Sequence, residues 1–246
     1  MAEEVKKKKK KRRKKNYLLR LLIFIAVLAG TYFILSSSLF YVEDFEIIGN
    51  SHFTDSMVTE ISGLKTGKNL FFEQDFRTAR YNLINSPYIK TAQISRKLPR
   101  TIVIEVEERE EFASDLDGNK NIILDQEGLV LRISDNEPYL PVISGLKIIS
   151  SNEGKALETE QSYLLTKGLS LLREAEIIDF YFERLEMSVS SVKAYIYYDQ
   201  YYCDGTIDNM ISSLSKIKAL VAEQYNENIT HGVIYVGSGG YLSYAP

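Results

Sequence analysis

Ten consecutive basic residues, Lys6 to Lys15, stand directly before an apolar run from about Leu21 to Tyr41. No charge interrupts that run, and a membrane-spanning helix needs roughly 20 such residues. The positive flank sets the orientation, because Lys/Arg-rich flanks stay cytoplasmic. The reading is a chain with its N-terminus inside and everything after Tyr41 outside the cytoplasmic membrane. A cleaved signal peptide shares the basic-then-apolar order, with Ser36–Ser38 as its only plausible cleavage zone. The length of the run favours an uncleaved anchor. The basic block also fits a nucleic-acid-binding tail. Beside a spanning segment it is read as a topology signal that attracts anionic lipids of the inner leaflet.

The net charge of −3 hides an asymmetry. The first 20 residues hold 11 Lys/Arg against two acids, Glu3 and Glu4, or +9. The rest holds 19 basic and 31 acidic groups, or −12. An acidic external part argues against nucleic-acid or phosphate binding there and favours solubility beside a negatively charged surface. Cys203 is the only cysteine, which excludes an internal disulfide, and with only His52 and His231 no Cys/His metal cluster can form. Cys203 reads as a small buried side chain in a strand. The roughly 205 residues after Tyr41 suffice for one or two ordinary hydrophobic cores.

Residues 43–107 show a β-α-α-β-β order. Phe45–Ile48 is β-rich and closed by the turn signal Gly49-Asn50. Thr54 caps a helix carrying Val58 and Ile61 on one face. Gly63 and Gly67 break the chain, and Asp75 caps a second helix with Phe76, Ala79 and Leu83 in a stripe. Asn85-Ser86-Pro87 ends it. Ile89–Ser95 and Thr101–Glu107 alternate as strands around Lys97-Leu98-Pro99 and make an antiparallel hairpin under the two helices.

From Arg109 to Tyr244 the pattern is mixed. Asn121–Leu124 and Leu129–Ile133 flank the polar turn Asp125-Gln126-Glu127-Gly128. Thr159–Glu174 is amphipathic, with Leu165, Leu169 and Leu172 aligned. Leu185, Met187 and Val189 form one alternating set, and Val192, Ala194, Ile196 and Tyr198 another. A last helix carries Met210, Leu214, Ile217 and Val221. Gly232–Val236 and Tyr241–Tyr244 are short terminal strands around Gly237-Ser238-Gly239-Gly240.

Three segments in order, Phe45-Glu46-Ile47-Ile48-Gly49-Asn50, then Asn85-Ser86-Pro87-Tyr88-Ile89, then Arg96-Lys97-Leu98-Pro99-Arg100-Thr101-Ile102-Val103-Ile104, resemble a POTRA domain. The form is that of the bacterial cell-division family FtsQ, called DivIB in Gram-positive bacteria. The resemblance includes position, because the unit lies directly outside the anchor. It implies an α+β fold with a single N-terminal transmembrane helix, a small POTRA domain and a mixed α/β "β-domain". The boundaries expected are a 1–20 basic cytoplasmic tail, a 21–41 helix, a 42–108 POTRA domain and a 109–246 β-domain. The strand after the last helix, His231-Gly232-Val233-Ile234-Tyr235, departs from the Gly-x-Ile-Asp-Leu-Arg-like run frequent in the family.

No catalytic constellation stands out, and no cofactor or metal site is expected. Glu105, Glu107, Glu108, Glu110 and Glu111 read as a solvated acidic stretch at a domain junction. Asp115-Leu116-Asp117-Gly118-Asn119 lacks the closing Glu of a calcium loop and reads as a polar turn. Lys65-Thr66-Gly67-Lys68 lacks phosphate-loop spacing. The resemblance implies a non-catalytic division scaffold that binds small bitopic coiled-coil proteins, FtsL and the FtsB/DivIC type, at the septum. It also implies control of septal peptidoglycan synthesis. The alternative is a POTRA-bearing chaperone or assembly factor for extracytoplasmic proteins. The expected contact surface is the uncharged C-terminal edge, through Val233, Tyr235, Tyr241, Ser243 and Tyr244; the alternative is that Tyr241–Tyr244 folds back on Gly232–Val236 as a terminal hairpin, and both hold if Tyr241–Tyr244 is itself the outer edge.

Overall fold

A computed structural model describes residues 16–117, 120–136, 138–197 and 200–246. The basic block Lys6–Lys15 lies outside the described residues, as do Gly118, Asn119 and Tyr198.

The chain is α+β. Helix α1, Tyr17–Leu35, is the one described helix long and apolar enough to cross a membrane. None of its residues is buried within the protein. At 1.5 Å per residue it is about 28 Å long, close to the hydrocarbon thickness of a bilayer. The helix is displaced from the 21–41 span expected from charge alone. It starts at Tyr17, and the chain leaves it at Ser36 because Phe40 and Val42 are drawn onto the first hydrophobic core. Residues Ser38–Phe40 form one 3-10 turn instead.

The first unit contains β1 (Asp44–Ile48), α2 (Asp55–Ser62), α3 (Phe76–Ile84), β2 (Ile89–Lys97) and β3 (Thr101–Glu108). Its sheet has the order β1-β3-β2. The β2–β3 hairpin is antiparallel, and β1 adds to β3 in parallel. Both expected caps form: the Thr54 hydroxyl accepts from the Met57 N–H, and the Asp75 carboxylate from the Arg77 and Thr78 N–H groups. The caps orient the helices so that Val58, Ala79 and Leu83 meet Ile102, Ile104 and Val106 of β3. Gly49 closes β1 at φ +88°, and a Cβ there would overlap the Val106 carbonyl oxygen.

The second unit holds β4 (Ala113–Asp117), β5 (Lys120–Leu124), β6 (Val130–Ser134), β7 (Val142–Ser144), β8 (Ile148–Ser150), β9 (Glu158–Thr159) and α4 (Ser162–Ile177). It continues with β10 (Arg184–Met187), β11 (Val192–Tyr197), β12 (Tyr201–Gly205), α5 (Ile207–Asn226), β13 (Gly232–Val236) and β14 (Leu242–Ala245). Nine of these strands form one sheet in the order β14-β13-β12-β11-β10-β7-β4-β5-β6. Leu165, Leu169 and Leu172 of α4 and Met210, Leu214, Ile217 and Val221 of α5 pack on it, over Ile143, Leu185, Ala194 and Ile234. Cys203 lies in β12, fully buried in this core. Burial raises its thiol pKa to about 12.

Strand β4 differs from expectation. Asp115, Leu116 and Asp117 are strand residues, not a turn. Asp115 is 2% exposed beside Ile122 and Ile143. Its Oδ1 accepts the Leu116 N–H at 2.7 Å, while Oδ2 is buried without a partner. Burial raises this carboxyl's pKa to about 7.

Candidate docking edge and the joint between the units

The nine-stranded sheet has two outer strands, and they differ. Along β6 the chain folds back as a cover. Val130 donates to the Lys155 carbonyl, Gly154 to the Val130 carbonyl and Leu157 to the Gly128 carbonyl. The Glu153 carboxylate takes the Ile133 N–H. Beyond β14 no described segment pairs with the sheet. Leu242-Ser243-Tyr244-Ala245 carries no charge and no proline, the usual protections of a bare edge.

The phase of the ladder determines what that edge offers. Tyr235 faces Ser243, Ile234 faces Tyr244 and Val236 faces Leu242. Gly237 donates to the Tyr241 carbonyl at 2.9 Å, so this pair is hydrogen-bonded. Antiparallel pairs alternate, so Tyr235 and Ser243 are hydrogen-bonded to each other, whereas Leu242 and Tyr244 direct their main-chain groups away from β13. The free donors and acceptors of the edge therefore belong to Leu242 and Tyr244.

The five residues expected from the sequence do not form one patch. Val233, Tyr235 and Ser243 share the sheet face away from the helices, and Tyr235 is 49% exposed. Tyr244 lies on the opposite face. Its ring packs on the main core, and its hydroxyl donates to the His231 carbonyl. Tyr241 precedes β14 and is exposed. Together they surround the edge rather than line a single surface.

A second arrangement was not anticipated. In the acidic stretch at the end of β3, Glu105, Glu107 and Glu110 are exposed as expected, but Glu108 and Glu111 are structural. Glu108 accepts the backbone N–H groups of Ser51, His52 and Phe53 at 2.7, 2.5 and 3.1 Å. Burial opposes its charge, but these donors outweigh it and hold the carboxyl below its ordinary range. Glu111 is gripped by Arg132 of β6 and by the hydroxyl of Tyr88, on whose ring His52 stacks at 4.0 Å. Arg109 pairs with Asp125 and Glu127, and Glu127 also takes Lys90 of β2 at 2.9 Å. These partners tie the first unit to the β5–β6 turn of the second. The pairings cross up to 57 residues of sequence, so no local pattern reveals them.

Among the described residues, no group of three or more His, Cys, Asp or Glu side chains is placed to hold a metal.

A two-helix, three-stranded module directly after a helix long and apolar enough to cross a membrane, followed by a larger mixed sheet, defines a POTRA-type architecture. Residues 40–109 match the family model described as "POTRA domain, FtsQ-type". The chain is 27% identical to cell division protein DivIB of Geobacillus kaustophilus over 91% of this chain and 82% of that one. It is 27% identical to DivIB of Clostridium botulinum strain Hall over 63% and 62%. With cell division protein FtsQ of Corynebacterium glutamicum the identity is 30% over 47% and 49%. The matches thus span less than two thirds of the Clostridium and Corynebacterium relatives. Residues 40–109 therefore carry an FtsQ-type POTRA domain, and the chain is similar to cell division proteins of the DivIB and FtsQ type.

Proposed function

We propose that this protein is a non-catalytic scaffold of the bacterial division complex. Residues 42–108 act as its POTRA domain and 109–246 as its partner-binding β-domain. It captures small bitopic coiled-coil proteins of the FtsL and FtsB/DivIC type at the septum and through them controls septal peptidoglycan synthesis. The observation that carries the reading is the bare, uncharged β14 edge at the end of a sheet whose other edge is covered. An extended partner segment can add there as a further strand, with affinity from the main-chain groups of Leu242 and Tyr244. Val233, Tyr235, Tyr241 and Ser243 flank the added strand and supply side-chain contacts, while Tyr244 contributes its outward main-chain groups.

The orientation is N-terminus cytoplasmic and β-domain outside, with the basic tail at the anionic inner leaflet. A reporter active only outside the cytoplasm works when fused after Pro246 and fails when fused before Lys6. Co-purification of tagged full-length protein from dividing cells tests the scaffold itself. Recovery of small coiled-coil division proteins is expected. Recovery of secretion substrates in their place refutes it.

A further inference from the structure

The first unit is not merely tethered to the apolar helix; it is clamped to the helix's exit. Asn69 donates from Nδ2 to the Leu35 carbonyl at 2.8 Å, satisfying a helix-end acceptor. Leu70 donates to the Phe40 carbonyl, Val42 to Lys68 and Gly67 to Val42. Tyr41 bridges Asn69. These bonds fix the turn 68–73 at the level of the last helical turn.

Phe72 lies at the tip of this turn. Its ring centroid is 5.3 Å from that of Tyr32, which lies inside α1 before its C-terminal residue. Phe72 is nevertheless 52% exposed. An exposed phenylalanine beside a residue within the helix is at the depth of the helix end.

The turn's N–H groups are arranged as a water-poor setting requires. Inside a bilayer, each polar main-chain group needs a protein partner. The Asn69 side-chain oxygen accepts the N–H groups of both Phe71 and Phe72, at 2.9 and 3.2 Å. The Asn69 N–H goes to the Glu73 carboxylate at 2.7 Å, and the Glu73 N–H goes to the Asn69 carbonyl. The one acidic side chain of the turn is thereby drawn back onto the turn itself, where Lys68 also approaches it at 3.9 Å. Every N–H from Asn69 to Glu73 has a partner within the protein.

We propose that the 68–73 turn is a membrane-inserted finger: Phe72, beside Tyr32, enters the acyl boundary of the outer leaflet and fixes the first unit against the lipid surface. The partner is the lipid interface of the bilayer that α1 crosses, and the inference rests on α1 spanning that bilayer. Tyr is enriched at this level of a membrane, and Phe is among the side chains that bury into the headgroup/acyl boundary.

The chain contains no tryptophan, so a single one can be placed and read. Full-length Phe72→Trp, Tyr32→Trp and Tyr139→Trp proteins are reconstituted in phosphatidylethanolamine/phosphatidylglycerol vesicles with brominated acyl chains. Tyr139 is fully exposed in the second unit and serves as the aqueous reference. The expected result is that Phe72→Trp and Tyr32→Trp lose most of their emission to the bromolipid and resist aqueous iodide, while Tyr139→Trp does the opposite. If Phe72→Trp follows Tyr139→Trp while Tyr32→Trp is quenched by lipid, the finger is overturned and the spanning helix stands. If Tyr32→Trp also escapes the lipid, the spanning helix fails and the finger with it. Phe72→Cys with a nitroxide gives a second reading, because the native thiol Cys203 is buried. Greater accessibility to oxygen than to a water-soluble nickel chelate is expected, and the reverse overturns the proposal.

Discussion

Arg132 holds Glu111 through two contacts, Nε to Oε1 at 2.6 Å and Nη2 to Oε2 at 3.0 Å. Glu111 belongs to the segment leaving the POTRA unit, and Arg132 to β6 of the larger sheet. The paired geometry specifies direction as well as attraction. It makes the passage between the two units a defined joint.

The joint should loosen in acid. The Arg132 guanidinium, aided by the Tyr88 hydroxyl and opposed by burial, holds the Glu111 carboxyl below its ordinary value. A lowered folded-state pKa contributes stability above the unfolded value near 4.5 and loses it as pH falls through the folded pKa. Glu111→Gln removes this contribution at neutral pH, at a cost of about 1 kcal/mol for a partly exposed pair. Faster proteolytic cleavage between residues 107 and 112 at pH 7, with the difference from wild type vanishing in acid, is the expected outcome. Equal cleavage at pH 7 refutes it.

Asp115 should act in the opposite sense. Its folded pKa is raised to about 7 from 3.8. The folded state therefore favours the protonated acid. Stability is full below pH 3.8, declines as the unfolded chain ionises, and levels off once pH passes about 7. Asp115→Asn keeps the shape without the charge. Urea titrations should find this variant more stable than wild type above pH 7, by roughly 2–4 kcal/mol, with the gap closing toward pH 4. A gap independent of pH excludes ionisation as its cause.

Two prolines should separate the inside of the β14 ladder from its outside. At Ser243, whose N–H faces Tyr235, proline breaks the bond to β13 and lowers the melting temperature. At Tyr244, proline removes an N–H that faces outward. Tyr244→Ala loses the same ring but keeps that N–H. If partners add as a strand, Tyr244→Pro loses captured division proteins that Tyr244→Ala retains. Equal capture by the two variants removes the β14 edge as the docking line.

Cys203 supplies a folding probe that needs no label. With no exposure and a thiol pushed up to about 12, it should resist aromatic disulfide reagents in the native protein. Its reaction should begin at the urea concentration where the second unit unfolds. Rapid reaction in buffer alone would mean that β12 is not buried in solution.

Where local pattern determines structure, the sequence was informative. The caps at Thr54 and Asp75, the stripe Met210–Leu214–Ile217–Val221 and the β2–β3 hairpin all follow from short-range spacing. Strand β4 was hidden because Ala113, Ser114 and Asp115 are buried in succession, so period-2 alternation is absent and an acid occupies a core position. The joint at Arg109 and Glu111 was hidden because its partners lie far along the chain. The C-terminal candidates were visible as an uncharged aromatic stretch, but their division between two faces depends on ladder phase, which composition does not encode.

Strand β14 also has a temporal meaning. It follows every other strand of its sheet in chain order, and its only neighbour among the described residues, β13, pairs in parallel with β12 across the whole of α5. A chain made from its N-terminus presents the POTRA unit before this strand. The edge thus comes into being only after the other strands of the sheet, and whatever reads it is reading a completed sheet.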